Sequence, residues 1–319
     1  MLTLKLIRFL SRAAPQAADL FRGWLVLPKN CEANKVMTVT NIGIQRPSTA
    51  LRRSDGLTAI ASLRQHWPEY LMEVGELGLY LFVACVVATL LQHPASIVRQ
   101  SISSGVARRA LMGLVMGATV IAIVTSPWGK RSGGHFNPAI TFTFYRLGKV
   151  EFWDAWLYVI AQFSGATGGV ALARYVLGGA LGDNAVRYGV TVPGVYGSTV
   201  AFAAELAISF FLMITVLFAT NNKRLAPYTA YFVGVLIAIY FTFEAPLSGM
   251  STNPARTFGS ALHANYWHAL WIYFIAPSTG MLAAGEVFLR IRRGAAPYCG
   301  KLHHANNERC IFHHAQHEV

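Results

Sequence analysis

One eleven-residue pattern occurs twice in this chain, and it constrains the fold more than any other feature. Ser132-Gly133-Gly134-His135-Phe136-Asn137-Pro138-Ala139-Ile140-Thr141-Phe142 and Ser248-Gly249-Met250-Ser251-Thr252-Asn253-Pro254-Ala255-Arg256-Thr257-Phe258 share SG-xxx-NPA-x-TF, in register and without a gap. A looser match follows each copy: YVIAQFSG at 158–165 and YFIAPSTG at 273–280. The chain therefore reads as two copies of one unit.

Apolar blocks at about 70–92, 107–127, 153–178, 199–220, 227–247 and 267–290 surround the two patterns. Each has the ~20 residues that a helix needs to cross a bilayer core. Only 13% of the residues are charged and 54% are hydrophobic, against roughly 25% charged in soluble domains. Three spans per unit is an odd number, so the two units sit in opposite orientations, as an inverted repeat. The expected fold class is an all-α integral membrane protein with six transmembrane helices and two re-entrant half-helices. Gly- and Ala-rich stretches such as SGATGGVALA at 164–173 suit close helix packing in lipid.

Each NPA segment lies between two spans and is too short to cross by itself. Asn is a strong N-cap, Pro is favoured at the first helical position, and Ala continues a helix. Short helices are therefore expected to start at Asn137-Pro138-Ala139 and at Asn253-Pro254-Ala255. Inverted symmetry brings both starts together near the bilayer midplane. Irregular backbone is tolerated at that depth only when buried in protein or lining a cavity. Two inward-pointing helix N-termini repel cations, hydronium included. Asn amides donate to a passing neutral solute, and the backbone carbonyls before each half-helix accept along the path.

The formal charge is +13, but the basic residues gather between apolar blocks and at the ends. This distribution points to an anionic membrane surface and not to nucleic acid. Ten Lys and Arg precede residue 65, Lys223 and Arg224 join the fourth and fifth blocks, and the C-terminal tail adds Arg290, Arg292, Arg293, Lys301 and Arg309. Both termini are expected to be cytoplasmic, although Arg99, Arg108 and Arg109 dissent mildly. Residues 1–66 read as an N-terminal tail, 67–293 as the channel and 294–319 as a Cys/His-rich tail. Within the first tail, 1–36 reads as a targeting segment, an interfacial helix or an over-long start, with Met37 as the first residue favoured.

On the paired NPA boxes and the Arg after the second, the chain resembles the major intrinsic protein family of aquaporins and glycerol facilitators. The resemblance covers about residues 68–292. It implies six tilted helices and two half-helices per subunit, one pore per subunit and a homotetramer. A passive channel for water or small uncharged solutes that excludes protons and ions is the implied function, with no enzymatic activity and no cofactor. A bacterial inner membrane is the expected setting.

Arg256 matches the family's filter arginine, Met250 the filter's loop position and Phe241 its fifth-span position. The second-span position is Gly117 by gapless counting or Met116 by aligning the glycine after it. Water channels usually carry His where Phe241 stands, and glycerol facilitators an Asp where Thr257 stands. The alternative is thus a glycerol or hydrogen peroxide facilitator with a wider, apolar filter. Glu205 and Glu73 (or Glu76) resemble the paired buried glutamates that accept from the re-entrant loops. Glu244 is expected to support the second loop, and His135 to line the pore.

The tail brings together Cys299, His303, His304, Cys310, His313 and His314. Cys299, His303, His304 and Cys310 are candidate ligands for a structural or regulatory metal such as zinc, with a redox-sensitive Cys pair as the alternative. That tail is expected to lie far from the pore. An ion-coupled secondary transporter is the rival from another class, since it too uses inverted repeats and broken helices. It lacks an evident ion-ligand set.

Overall fold

The structure is a computed structural model that describes residues 58–312. The readings of residues 1–36 and of His313 and His314 lie outside the described residues. Six helical stretches are long and apolar enough to cross a membrane: Ala59–Gln92, Gly105–Thr125, Phe152–Gly182, Gly197–Thr220, Ala226–Ser248 and Leu270–Ile291. The helices that matter here are α1 (Ala59–Gln92), α2 (Gly105–Thr125), α3 (Pro138–Arg146), α4 (Phe152–Leu177), α5 (Gly197–Thr220), α6 (Thr229–Ile239), α7 (Pro254–Ala264) and α8 (Leu270–Ile291). All of the regular structure in the described residues is helical.

The first span departs from the sequence reading. It starts at Ala59, inside the stretch read as an N-terminal tail up to residue 66. Thr58 caps it by accepting from the Ala61 amide at 3.3 Å. Composition hid this extension because its buried residues, Ser62, His66 and Glu69, are polar, and the partners of His66 and Glu69 lie elsewhere in the chain. Asp154 on α4 binds His66 at 2.9 Å and the Tyr70 hydroxyl at 2.6 Å. Arg131 binds Glu69 at 3.0 Å. Those partners offset part of the cost of burying polar groups, while Ser62 Oγ and Glu69 Oε2 are buried without a hydrogen bond.

Packing repeats the sequence symmetry. In the first copy α1 packs on α4, and in the second α5 packs on α8. The copies meet where α2 crosses α6. There Gly117 faces Gly234 so closely that a Cβ on Gly117 would stand 2.4 Å from the Gly234 carbonyl oxygen. Small residues allow such close approach between membrane helices.

The half-helices α3 and α7 have 9 and 11 residues. At 1.5 Å per residue they are about 14 and 17 Å long. Placed end to end they match a hydrocarbon core of about 30 Å. Each leans on the last span of the opposite copy, α3 on α8 and α7 on α4.

Candidate functional site

Asn137 and Asn253 cap α3 and α7 as their sequence demands. Asn137 Oδ1 accepts from the Ala139 amide at 2.9 Å. Asn253 Oδ1 accepts from the Ala255 and Arg256 amides at 3.0 and 3.2 Å. Pro138 and Pro254 take the first helical turn, where a missing N–H costs nothing. The two starts face each other. Asn137 Nδ2 donates to the Thr252 carbonyl at 2.8 Å, and Asn253 Nδ2 donates to the Phe136 carbonyl at 2.8 Å.

The backbone before each asparagine is left-handed at matching positions. Gly133, Gly134 and Phe136 have φ of 100°, 65° and 27°, and Gly249, Met250 and Thr252 have φ of 83°, 53° and 54°. For Phe136, Met250 and Thr252, conformations of this kind cost roughly 1–3 kcal/mol each. They persist because buried carboxylates hold the loops. Glu73 accepts from the His135 and Phe136 amides at 2.9 and 2.7 Å. Glu205 accepts from the Ser251 and Thr252 amides at 2.6 and 2.8 Å. Of the two candidates on the first span, Glu73 is thus the counterpart of Glu205, and Glu76 instead takes the Ser132 hydroxyl at 2.7 Å. Both carboxyl oxygens of Glu244 are enclosed, and the Ser248 hydroxyl at the start of the second loop interacts with that carboxyl.

Sequence reasoning passed over several supports. The Tyr158 hydroxyl donates to Ser132 O at 2.6 Å and the Tyr273 hydroxyl to Ser248 O at 2.5 Å. These tyrosines open the two loosely matching stretches, so the repeat itself held the signal. Gln162 Nε2 reaches Glu73 at 2.6 Å and Thr141 at 3.0 Å.

Asn137 and Asn253 line one cavity of about 30 Å³ with Tyr80, His135, Ile237 and Leu302, room for about two waters. Phe241, Met250 and Arg256 are not among its walls. All three are buried. Phe241 lies in a π-helical turn, Tyr240–Glu244, that prolongs α6. Such turns often mark functional sites. Arg256 Nη1 is enclosed with no protein hydrogen-bond partner, which leaves a donor for a solute. Thr257 shares its hydroxyl with Thr191 at 2.7 Å and Ser251 at 2.5 Å. Gly117 is taken up by the contact with α6, and it and Met116 are both buried.

The tail is the main correction. Instead of lying far from the pore, it folds against it, and Leu302 is a wall of the same cavity. The Cys299 and Cys310 sulfurs stand 3.6 Å apart. Among the described residues, no three His, Cys, Asp or Glu side chains form a group that could hold a metal. His303 and His304 thus do not join the two sulfurs in one ligand set.

The family model for major intrinsic protein matches residues 61–288. The chain is similar to aquaporin NIP1-2 of Oryza sativa subsp. japonica, at 34% identity over 188 residues, covering 57% of this chain and 59% of the relative. Aquaporin PIP-type of Atriplex canescens is 32% identical over 268 residues, covering 73% of this chain and 92% of that one. Among solved structures, the aquaglyceroporin from Plasmodium falciparum matches with a TM-score of 0.59 at 17% identity, covering 71% of this chain and 97% of that chain. The last likeness speaks for the fold alone.

Proposed function

The chain belongs to the major intrinsic protein family, and on that premise we propose that it is a passive transmembrane channel for water and small uncharged solutes. The observation that carries this reading is the reciprocal bond between Asn137 and the second loop and Asn253 and the first. It fixes two helix N-termini face to face on a water-sized cavity. Their positive ends oppose cations at a depth where a charge already pays for leaving water. Each Asn amide has a second N–H for a passing solute.

Arg256, Phe241 and Met250 are proposed to form the selectivity filter, with Met116 as its second-span member. Phe241, Met250 and Met116 give three apolar walls and one donor. That balance supports a facilitator for glycerol or hydrogen peroxide as the second reading. Glu73 and Glu205 are committed to loop amides, which speaks against an ion-coupled transporter built on them.

The protein is placed in a bilayer with both termini on the cytoplasmic side, following the Lys and Arg distribution. The two aquaporins named above as sequence relatives come from plants, so the bacterial inner membrane expected from the sequence is carried only as a proposal. A homotetramer with one pore per subunit rests on the family resemblance. Mass determination in detergent would test it, with four times the chain's 34.9 kDa expected.

The functional test is stopped-flow light scattering of liposomes holding the protein, with water and glycerol gradients side by side. Water flux above empty liposomes with little glycerol entry supports a water channel. Ready glycerol entry supports the facilitator reading. Electrogenic, ion-dependent uptake would overturn both.

A further inference from the structure

The segment after α8 crosses the first re-entrant loop and is held at both ends. At one end the Tyr298 amide donates to Asn221 Oδ1 at 2.7 Å, at the end of α5. At the other, Arg309 Nη2 donates to the Gln65 carbonyl at 3.2 Å and Nη1 lies 3.8 Å from Glu69, both on α1. Between these anchors the segment docks on the first re-entrant loop. The Leu302 amide donates to Gly133 O at 3.0 Å. His135 Nε2 lies 2.7 Å from Gly300 O. The Phe312 ring stacks on His135 at 5.2 Å. It also fills the space beside Gly133, whose absent Cβ would stand 2.6 Å from it. Leu302 is also one wall of the cavity that Asn137 and Asn253 line.

The segment is itself a loop closed by two sulfurs. Cys299 and Cys310 are at hydrogen-bond distance, 3.6 Å, on either side of Lys301, whose buried ammonium binds the carbonyls of Glu308 at 3.2 Å and Arg309 at 2.8 Å. A disulfide needs about 2.05 Å, so joining them requires the two sulfurs to close by roughly 1.5 Å.

We propose that Cys299 and Cys310 are a dithiol site oxidised by peroxide, and that their disulfide clamps residues 298–312 as a stopper over the pore mouth. The clamp rests on the channel reading above, whereas the oxidation site does not. Cys310 is partly exposed and Cys299 fully buried, so peroxide meets Cys310 first. Its thiolate cleaves the peroxide O–O bond, forming a sulfenic acid and releasing water. The Cys299 sulfur then displaces water from that acid. Two thiols and one hydrogen peroxide give one disulfide and two waters, with both electrons passing to peroxide. On the cytoplasmic side proposed above, thiols are kept reduced and such a bond is a transient signal. Closing the 299–310 loop removes the conformations in which it swings away from the mouth.

The test uses full-length protein with Cys31→Ser and Cys85→Ser, so that only the two tail thiols remain. Proteoliposomes are treated with dithiothreitol, then hydrogen peroxide, then dithiothreitol again, and each state is read by water flux and by tryptic peptide mapping. Trypsin cuts after Arg293, Lys301 and Arg309, so only the disulfide joins peptides 294–301 and 310–319. The expected result is that linked pair, two hydrogens lighter than its reduced parts, with a several-fold loss of flux that dithiothreitol reverses. Cys299→Ser and Cys310→Ala should each abolish both changes. Absence of the linked pair overturns the site. A linked pair with unchanged flux overturns the clamp. If flux is absent in every state, Leu302→Ala with Phe312→Ala is assayed. Conduction by that variant means a stopper closed without regard to redox state, which overturns the redox clamp. Its silence brings down the channel reading and the clamp together, while the peptide map still decides the oxidation site.

Discussion

Asn253 donates its side-chain amide to the carbonyl oxygen of Phe136 at 2.8 Å, across the junction of the two repeats. Asn253→Asp sets a carboxylate against that carbonyl and leaves a buried acceptor unmet. Losing a buried partner costs about 1–3 kcal/mol. The expected outcome is a lower unfolding temperature in detergent, with reduced water flux in liposomes. An unchanged melting curve would mean that the junction is held elsewhere.

Glu73 and Glu205 hold equivalent loops through equivalent amides, so their neutral variants should behave alike. Glu73→Gln and Glu205→Gln each replace a carboxylate that accepts from two backbone N–H groups. Hydrogen bonds to charged groups contribute roughly 1.5–3 kcal/mol, and each variant should lose a similar part of that. Thermal unfolding of the purified proteins checks it. A large effect at one glutamate with none at the other would break the symmetry argument.

Gly117 and Met116 separate packing from permeation. Gly117→Ala puts a methyl 2.4 Å from the Gly234 carbonyl oxygen, and overpacking of this kind costs typically 1–3 kcal/mol. It should lower stability and leave the ratio of glycerol to water flux alone. Met116→Ala should raise that ratio. If the two variants exchange these effects in stopped-flow and melting assays, the second-span filter residue is Gly117.

The filter proposal predicts opposite shifts from two other substitutions. Phe241→His adds a donor and acceptor to an apolar wall and should lower glycerol entry relative to water. Arg256→Ala removes a charge and much volume, so glycerol entry should rise and cation leak should appear. Paired scattering and dye-based ion-leak measurements read both. Equal fluxes in all three proteins would remove Phe241 and Arg256 from the filter.

The sequence displayed what depends on local rules. Six spans followed from apolar length, the half-helix starts from the N-cap and N1 preferences of Asn-Pro, and the inverted repeat from an odd span count. What it concealed depends on distant partners. The Ala59 start of α1 needs Asp154 and Arg131, far along the chain. The stopper has no long apolar run and is held through backbone carbonyls, with Leu302 and Phe312 as isolated apolar contacts. Cys299 and Cys310 were visible as close Cys residues, but spacing alone left a metal site, a redox pair and a plain basic tail all open. The choice between Glu73 and Glu76 turned on which carboxylate meets the His135 and Phe136 amides, a matter of helix rotation that composition does not encode.

The crossed seating of the half-helices bears on how the chain is assembled. The half-helix α3, early in the chain, takes much of its support from α8, the last span. A ribosome delivers α3 well before α8 exists. During synthesis the first NPA segment must therefore wait, with its amides and carbonyls served by translocon, water or lipid headgroups, until the final helix enters the bilayer. Maturation of the pore is then a post-insertional event, and nascent chains halted before Leu270 should hold the first segment in a protease- and label-accessible state.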